Sequence, residues 1–204
     1  MLLQEFIPGG DDRVVGSGWY LNADSLPLAQ FTWHKLRQHP RTFGEGRFGE
    51  SLWVPIVADT CLAFYQGLGL TGIFGGEFKH DPRDGRYKLM EVNTRFCLSH
   101  GFATSVGVNI AYVAYRDAVG RPVNAPRQKE GPRWIMCRHD LPDSAREILR
   151  GEMGFLEWLR SLRGTRYDGL LSLRDPAPGL LEVSRIGRRQ VQRVTRHRMA
   201  VSAA

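Results

Sequence analysis

The stretch GGEFKHDPRDGRYKLMEVNTRF, residues 75–96, carries polar and charged side chains at every second position on both sides of a turn. Successive side chains of a β-strand point to opposite faces, so residues spaced by two share a face. The Pro, Asp and Gly residues between the two halves are typical of a tight turn. The stretch therefore predicts a hairpin of two strands, residues 71–80 and 87–95. The residues of its charged face are Glu77, Lys79, Glu91, Asn93 and Arg95.

Symmetric pairing across this turn places Glu77 opposite Glu91. Two directly opposed carboxylates repel by up to about 1 kcal/mol on an exposed sheet, and by more when they are partly buried. A divalent cation would relieve that repulsion, and carboxylate and amide oxygens are ligands that Mg²⁺ accepts. The spacing also fits a solvent-facing hairpin with cross-strand salt bridges, and the pattern leaves both interpretations open.

The sequence around the hairpin reads as strands with helices between them, which predicts a single α+β domain with a C-terminal extension. A glycine-rich loop over 43–50 is expected to lead into a helix over 51–70. The remaining predicted strands and helices are strands at 1–7, 11–22 and 27–40, a helix at 101–120, a loop and strand at 121–140, and a helix at 143–164 with Asp143 or Ser144 as its N-cap.

Composition limits the class of protein. The chain of 204 residues is 42% hydrophobic and 24% charged, which fits one folded core and argues against wholesale disorder. It contains no run of about 18 apolar residues and no basic-then-apolar leader, so a cytoplasmic protein without a membrane span is predicted. The three cysteines are odd in number and lack C-x-x-C spacing, which is typical of reduced thiols.

The positive charge is concentrated at the C-terminus. The net charge is +7, and residues 185–204 contain six arginines and no acid, which leaves +1 for residues 1–184. A short basic end without an apolar period is typical of a solvated, disordered tail. Binding of RNA or an acidic membrane through this tail is the alternative, and the nearly neutral remainder argues against nucleic acid as the main partner.

Several motifs together resemble the ATP-grasp superfamily. The hairpin EFKHDPRDGRYKLMEVNTR resembles its metal-binding hairpin, LLQEFIPGGDD its hinge strand, and WHKLRQHP its phosphate-contacting strand. The segments RFCLSHGFATSVGVNIAYVAYRD, FLEWLRSLRG and DGLLSLRDPAPG extend the similarity over residues 2–180. Within the superfamily the chain is similar to the carboxylate-amine ligases, including D-aspartate ligase-like proteins. The resemblance implies an ATP-grasp C-terminal lobe, with a mostly antiparallel sheet packed against helices, followed by an extension.

The same resemblance assigns roles to particular residues. Lys35 is the implied phosphate contact, with Arg37 as an alternative on the same strand face, and Arg95 stabilises the γ-phosphate and the acyl phosphate. Asp12 is the implied ribose-binding acid, with Asp11 as competitor. His100 either approaches the substrate or makes an ordinary hydrogen bond at a helix start. The remaining implied ligands are Glu5, Phe6 and Ile7 for adenine, Lys79 for the phosphates, and Glu77, Glu91 and Asn93 for Mg²⁺.

The resemblance implies an ATP- and Mg²⁺-dependent enzyme, with Mn²⁺ as a substitute, that joins a small carboxylate to an amine through an acyl phosphate. The chain begins at the hinge, so a separate N-terminal lobe is an expected partner. A non-catalytic nucleotide-binding or interaction remnant is the alternative, and RNA binding through the basic tail is a third interpretation. The corresponding division is a lobe at 1–120, an extension at 121–184 and a disordered tail at 185–204.

Overall fold

The computed structural model describes residues 3–169, 171 and 175–182. The chain divides into two compact units, Met1–Gly169 and Leu170–Ala204. The first unit contains the sheet and the helices packed on it, and the described part of the second contains a helical stretch at 177–182. The predicted boundary at residue 184 and the predicted tail lie outside the described residues.

The first unit is an α+β fold, as predicted from the sequence. Its seven strands form one sheet in the order β5-β4-β1-β2-β3-β6-β7, antiparallel throughout except for the parallel pair β6 and β7. The strands are Val14–Leu21 (β1), Pro27–His39 (β2), Glu45–Ser51 (β3), Gly72–Asp81 (β4), Arg86–Asn93 (β5), Arg133–Ile135 (β6) and Thr165–Asp168 (β7). The α-helices are Pro55–Gly67 (α1), Ser99–Ser105 (α2), Ile110–Ala118 (α3), Cys137–Leu149 (α4) and Phe155–Ser161 (α5).

Helix α1 covers one face of the central strands. Its buried side chains Val57, Cys61 and Tyr65 pack in one cluster with Trp19 of β1 and Phe78 of β4. Burial of aromatic and aliphatic surface at about 25 cal/mol per Å² makes this cluster a main contributor to folding. The opposite face of the same strands is left for the hairpin's charged side chains.

The glycine-rich segment predicted as a loop is a strand. Residues 45–51 form β3, which pairs with β2 and β6. Its glycines make room for an aromatic ring: a Cβ atom built on Gly46 would lie 2.4 Å from the Trp33 ring, and one on Gly49 would lie 2.5 Å from it. The glycines therefore serve close packing inside the sheet, which composition alone does not distinguish from loop flexibility.

We expect Gly49→Ala to lower the free energy of unfolding by about 1–3 kcal/mol, because the added methyl group must displace the buried Trp33 ring. Gly67→Ala is the matched control, since a Cβ atom at Gly67 meets nothing within 4 Å at the end of α1. That control should be neutral or slightly stabilising. Urea unfolding of both variants tests the assignment, and equal stability of the two would contradict it.

Two predicted helices are each broken in two. The helix predicted at 101–120 is α2 and α3, separated at Gly107, whose φ of 106° no helix accommodates. The helix predicted at 143–164 is α4 and α5, separated at Gly151 with φ 72°. Helix α4 begins at Cys137, so Asp143 and Ser144 lie inside it, and neither is its N-cap. The glycines that adopt positive φ end these helices, which a purely apolar period does not reveal.

The predicted first strand is absent from the described residues. Residues 3–8 have no regular secondary structure, although Gln4 Nε2 donates a hydrogen bond to the Met90 carbonyl oxygen of β5. The segment contacts the hairpin through a side chain and does not pair with it as a β-strand. Its apolar pattern is therefore not the sign of a strand in the sheet. Among the described residues, no helix has the length and apolar content needed to span a membrane.

Candidate functional site

The hairpin brings the two predicted glutamates opposite each other through a β-bulge at Met90, since Phe78 pairs with Leu89 and the register then shifts by one residue. Glu77 of β4 lies opposite Glu91 of β5, and Gly75 lies opposite Asn93. The amide nitrogen of Asn93 donates a hydrogen bond to Oε1 of Glu91. Since the Asn93 side-chain nitrogen is engaged in this way, its carbonyl oxygen is the group left to accept from, or to ligate, a third partner. The two carboxylates and one amide therefore meet on one face of the sheet.

Lys35 of β2 supplies the nearest positive charge. Its Nζ atom lies 2.8 Å from Oε1 and 2.9 Å from Oε2 of Glu77, and the Lys35 side chain is completely buried. Weaker contacts join Nζ to Gln38 Oε1 at 3.4 Å and to the Gly44 carbonyl oxygen at 3.3 Å. Glu77 is 32% exposed, so its carboxylate lies between the buried ammonium and the cavity described below.

Arg37 does not share the face of Lys35, which corrects the alternative assignment. A bulge in β2 places Lys35 opposite Gly49 but Arg37 opposite Phe48, so one extra residue reverses the alternation. The Arg37 guanidinium lies 3.9 Å from the centre of the Phe48 ring and makes a bidentate ion pair with Asp140 at 2.7 and 2.9 Å. It is thus a structural residue of the opposite face.

A cavity of about 410 Å³ opens over the hairpin's charged face. Its walls combine predicted site residues with residues that the sequence did not single out. The predicted residues among them are Glu77, Glu91, Asn93 and Arg95. The unpredicted ones include Gln4, Gln38, Phe43, Met90 and Trp33. Most of these lie far from the hairpin in sequence, and their types carry no catalytic signal, so only the folded structure brings them to the site.

Trp33 contributes a polar group that had no sequence signal. Its side chain is 4% exposed, its indole N–H has no hydrogen-bond partner among the described residues, and it lines both this cavity and an adjoining one of about 30 Å³. A buried donor without a partner is costly unless a water or ligand oxygen accepts from it. A water or ligand oxygen that reached this N–H would relieve the cost.

The predicted nucleotide-binding residues occupy different surroundings. Glu5 pairs with Arg83 at 2.7 Å, outside the residues that line the cavity. The Phe6 ring contacts the Phe43 ring at 6.1 Å between centroids and lies 5.4 Å from Nζ of the buried Lys79. Lys79 and Lys35 are both buried and do not line the cavity, whereas Arg95 is exposed and does line it.

The two aspartates that compete for the ribose role are distinguished by their contacts. The Asp11 carboxylate accepts from the backbone N–H groups of Gln38 and Thr42 and from Nε2 of Gln38, which fixes the turn before β3. The Asp12 carboxylate has no such partner among the described residues and is exposed, while its backbone carbonyl oxygen contacts the His34 ring. Asp12 is therefore the more available of the two, and Ile7 nearby is half-buried.

Two titratable groups lie beneath the hairpin. Burial lowers the pKa of His100 to about 4, so this side chain is neutral at pH 7, and its Nδ1 atom accepts from the Cys97 N–H at 3.3 Å. This contact favours the ordinary hydrogen-bonding role at a helix start over contact with a substrate. Burial also raises the pKa of the Cys97 thiol, so Cys97 is a poor nucleophile at neutral pH.

The donor set fits a hard divalent cation. Among residues 3–169, no group of three His, Cys, Asp or Glu side chains is arranged to hold a metal. The hairpin instead offers two opposed carboxylates and an amide, and the Glu91 carboxylate has only the Asn93 amide as a partner among the described residues. An oxygen-only set completed by waters and phosphate oxygens is the arrangement typical of Mg²⁺. The residues present therefore fit the metal, with phosphate needed to complete its coordination.

Comparison with known proteins places the hairpin in a family context. The domain described as "Carbamoyl-phosphate synthase L chain, ATP binding domain" matches residues 54–125, which include Glu77, Glu91, Asn93 and Arg95. D-aspartate ligase of Enterococcus faecium (strain Aus0004) is 32% identical over 126 residues. Both matches agree with the ATP-grasp resemblance of the sequence motifs.

The match to the D-aspartate ligase covers 58% of this chain and 29% of that protein, so the chain spans less than a third of its length. Solved structures overlap with this chain over a similar share. Biotin carboxylase from Campylobacter jejuni overlaps 64% of this chain and 30% of its own, at 15% identity and a TM-score of 0.49. The phosphoribosylaminoimidazole carboxylase ATPase subunit from Aquifex aeolicus overlaps 60% and 38%, at 11% identity and a TM-score of 0.46.

Proposed function

We propose that this chain is the nucleotide- and metal-binding part of an ATP- and Mg²⁺-dependent carboxylate-amine ligase. The single observation that carries the proposal is the meeting of Glu77, Glu91, Asn93 and Arg95 at one cavity of about 410 Å³. Two acids, an amide and a cation that converge on one cavity are the groups that phosphoryl transfer requires. The relationship to a D-aspartate ligase supports the formation of a carbon-nitrogen bond.

The proposed reaction has two steps. A substrate carboxylate oxygen attacks the γ-phosphorus of ATP, ADP leaves, and an acyl phosphate forms. The amine nitrogen then attacks the carbonyl carbon, and the bond from that carbon to the bridging oxygen breaks. Inorganic phosphate leaves with this oxygen, which came from the substrate carboxylate, and the nitrogen loses a proton to give the amide. Because a free carboxylate is a poor electrophile, the first step makes the second possible. Small carboxylate and amine substrates, and a separate N-terminal lobe, belong to this proposal.

The chain's own residues have distinct roles in it. Glu77, Glu91 and Asn93 would hold Mg²⁺ or Mn²⁺, which when bound acts as a Lewis acid toward phosphate oxygens. Lys35 holds the Glu77 carboxylate in place through two hydrogen bonds and brings positive charge behind it. Arg95, exposed at the cavity, would balance the charge that collects on the transferred phosphoryl group.

The nucleotide's base and sugar would lie toward the N-terminal segment. Backbone groups of residues 5–7 would meet the adenine, and the exposed Asp12 carboxylate would accept from the ribose hydroxyls. Phe6 and Phe43 add apolar surface beside the cavity. Lys79 is buried beneath the Phe6 ring, so its proposed phosphate contact requires Phe6 to move when nucleotide binds.

We expect Glu91→Gln to weaken binding of Mn²⁺-ATP by at least about tenfold, since the substitution removes one anionic ligand while keeping the side-chain shape. Glu91 is exposed and bonds only to Asn93 among the described residues, so the fold should persist. Isothermal titration calorimetry on the full chain measures the affinity, and circular dichroism verifies folding.

Asp59→Asn is the matched control, because Asp59 is an exposed acid on α1 that does not line the cavity. Its affinity for Mn²⁺-ATP should equal that of the unsubstituted chain. Equal affinities of the Glu91 and Asp59 variants, or no binding by the unsubstituted chain, would count against the proposed function.

A further inference from the structure

A second and larger cavity, of about 510 Å³, lies at the opposite end of β2 from Lys35. It shares no lining residue with the cavity over the hairpin. One side is the beginning of β2 and the other is the loop that precedes β6. The lining residues used below are Leu28, Gln30, Trp53, Arg127, Gln128 and Glu130.

Beside this cavity, β2 extends past the end of its neighbour β3. There the backbone of β2 is hydrogen-bonded by a side chain instead of by a neighbouring strand. The Thr32 N–H donates to Oε1 of Gln128 at 2.9 Å, and Nε2 of Gln128 donates to the Thr32 carbonyl oxygen at 3.0 Å. A primary amide thus makes the two hydrogen bonds that a neighbouring strand residue would make. Nε2 also contacts Ser51 Oγ at 3.1 Å, which fixes the amide where β3 leaves the edge.

The next backbone position along this edge has no such partner. The N–H and C=O of one strand residue point to the same edge, and the edge alternates from residue to residue. The register between β1 and β2 is unbroken from Thr32 to Gln30, so Gln30 presents its N–H and C=O on the same side as Thr32. Among the described residues, no side chain or loop pairs with them. The bulge at Leu28 then ends the regular edge.

The charges around the cavity are one cation and one anion. Arg127 is exposed and has no ion pair or hydrogen bond to its side chain among the described residues. Oε2 of the Glu130 carboxylate accepts a hydrogen bond from the backbone N–H of Trp53 at 3.0 Å. Its other oxygen, Oε1, has no partner among the described residues. Leu28 and the Trp53 ring supply apolar walls. A ligand complementary to this lining carries both a carboxylate and an ammonium group.

We propose that this cavity binds a short peptide with free termini. The central residue of an extended tripeptide would donate its N–H to the Gln30 carbonyl oxygen and accept from the Gln30 N–H through its own C=O, as one strand residue pairs with another. The peptide carboxylate would meet Arg127 and its ammonium group would meet Glu130. This site is independent of the proposed ligase chemistry at the hairpin.

Titration of the ¹⁵N-labelled full chain with tri-alanine tests the proposal by NMR. We expect saturable shifts of the Gln30 and Thr32 amide signals and none at the hairpin signals of Met90 and Glu91. Methylation of the central peptide nitrogen removes the donor to Gln30 and should weaken binding at least tenfold. Amidation of the peptide C-terminus should weaken it to a similar extent.

Arg127→Gln should likewise weaken tri-alanine binding at least tenfold, whereas Arg121→Gln should leave it unchanged. Arg121 is an exposed arginine of the same loop that does not line the cavity, so it controls for general loss of positive charge. The proposal is overturned if tri-alanine causes no saturable shift at Gln30. Equal binding of the centrally methylated peptide, or equal loss in both arginine variants, would also overturn it.

Discussion

Asp140→Ala is expected to lower the free energy of unfolding by about 3–5 kcal/mol, because it leaves buried guanidinium groups without their shared carboxylate. Asp140 is completely buried and receives two hydrogen bonds from Arg37, at 2.7 and 2.9 Å. Trp158 Nε1 donates to it at 3.1 Å, and Arg47 Nε lies 3.8 Å from it. Urea unfolding with an unchanged slope against denaturant would give the difference directly.

Asp24→Ala is the control for this stability measurement, since Asp24 is exposed in the turn between β1 and β2, and its carboxylate has no partner among the described residues. It should cost no more than about 0.5 kcal/mol. The double substitution Arg37→Met with Asp140→Leu should recover part of the loss, because apolar groups of similar volume often replace a buried ion pair at little cost. A loss below about 1 kcal/mol for Asp140→Ala would contradict the role given to the cluster.

The same buried cluster explains why one part of β2 was predictable and its neighbour was not. Alternation over residues 27–40 correctly predicts a strand and puts Lys35 on the site face. The bulge turns Arg37 toward Phe48, where it pairs with Asp140, about a hundred positions later in the chain. A local sequence pattern carries no information about a partner so distant in the chain. The alternation of side chains therefore predicts the wrong sheet face for Arg37, which follows the bulge.

The hairpin was predictable because its determinants are local. The turn residues locate the hairpin, and the alternation along each strand puts Glu91 and Asn93 on one face. The register beside the turn alone would place Glu77 opposite Met90, and a bulge at Met90 brings Glu77 opposite Glu91 instead. The glycines of β3 were not predictable, because they accommodate the ring of Trp33 on the neighbouring strand. The glycine-rich composition of β3 indicated a loop, whereas the glycines are needed for a tertiary contact with the Trp33 ring. The cavity walls Gln4 and Phe43 were missed for the same reason.

Lys35→Met is expected to weaken Mg²⁺-ATP binding by about 10- to 100-fold. This corresponds to the loss of a hydrogen bond to a charged group, which is worth about 1.5–3 kcal/mol. The variant should fold, since Glu77 is already 32% exposed and can be solvated once the ammonium is gone. Isothermal titration calorimetry with ATP measures this loss. Lys129→Met, at an exposed lysine that does not line the cavity, is the control and should bind normally.

Binding of Mn²⁺ without nucleotide separates two roles for Lys35. If Lys35 contacts the phosphates, its removal weakens ATP binding but leaves Mn²⁺ binding unchanged or tighter, because a cation that competes for Glu77 has been removed. If Lys35 only positions Glu77, both affinities fall together. The two hydrogen bonds at 2.8 and 2.9 Å hold both carboxylate oxygens in this structure, so a phosphate contact requires Nζ to share or leave them. We therefore expect nucleotide to draw the ammonium away from Glu77 and to free that carboxylate for the metal, which couples the two ligands at this site.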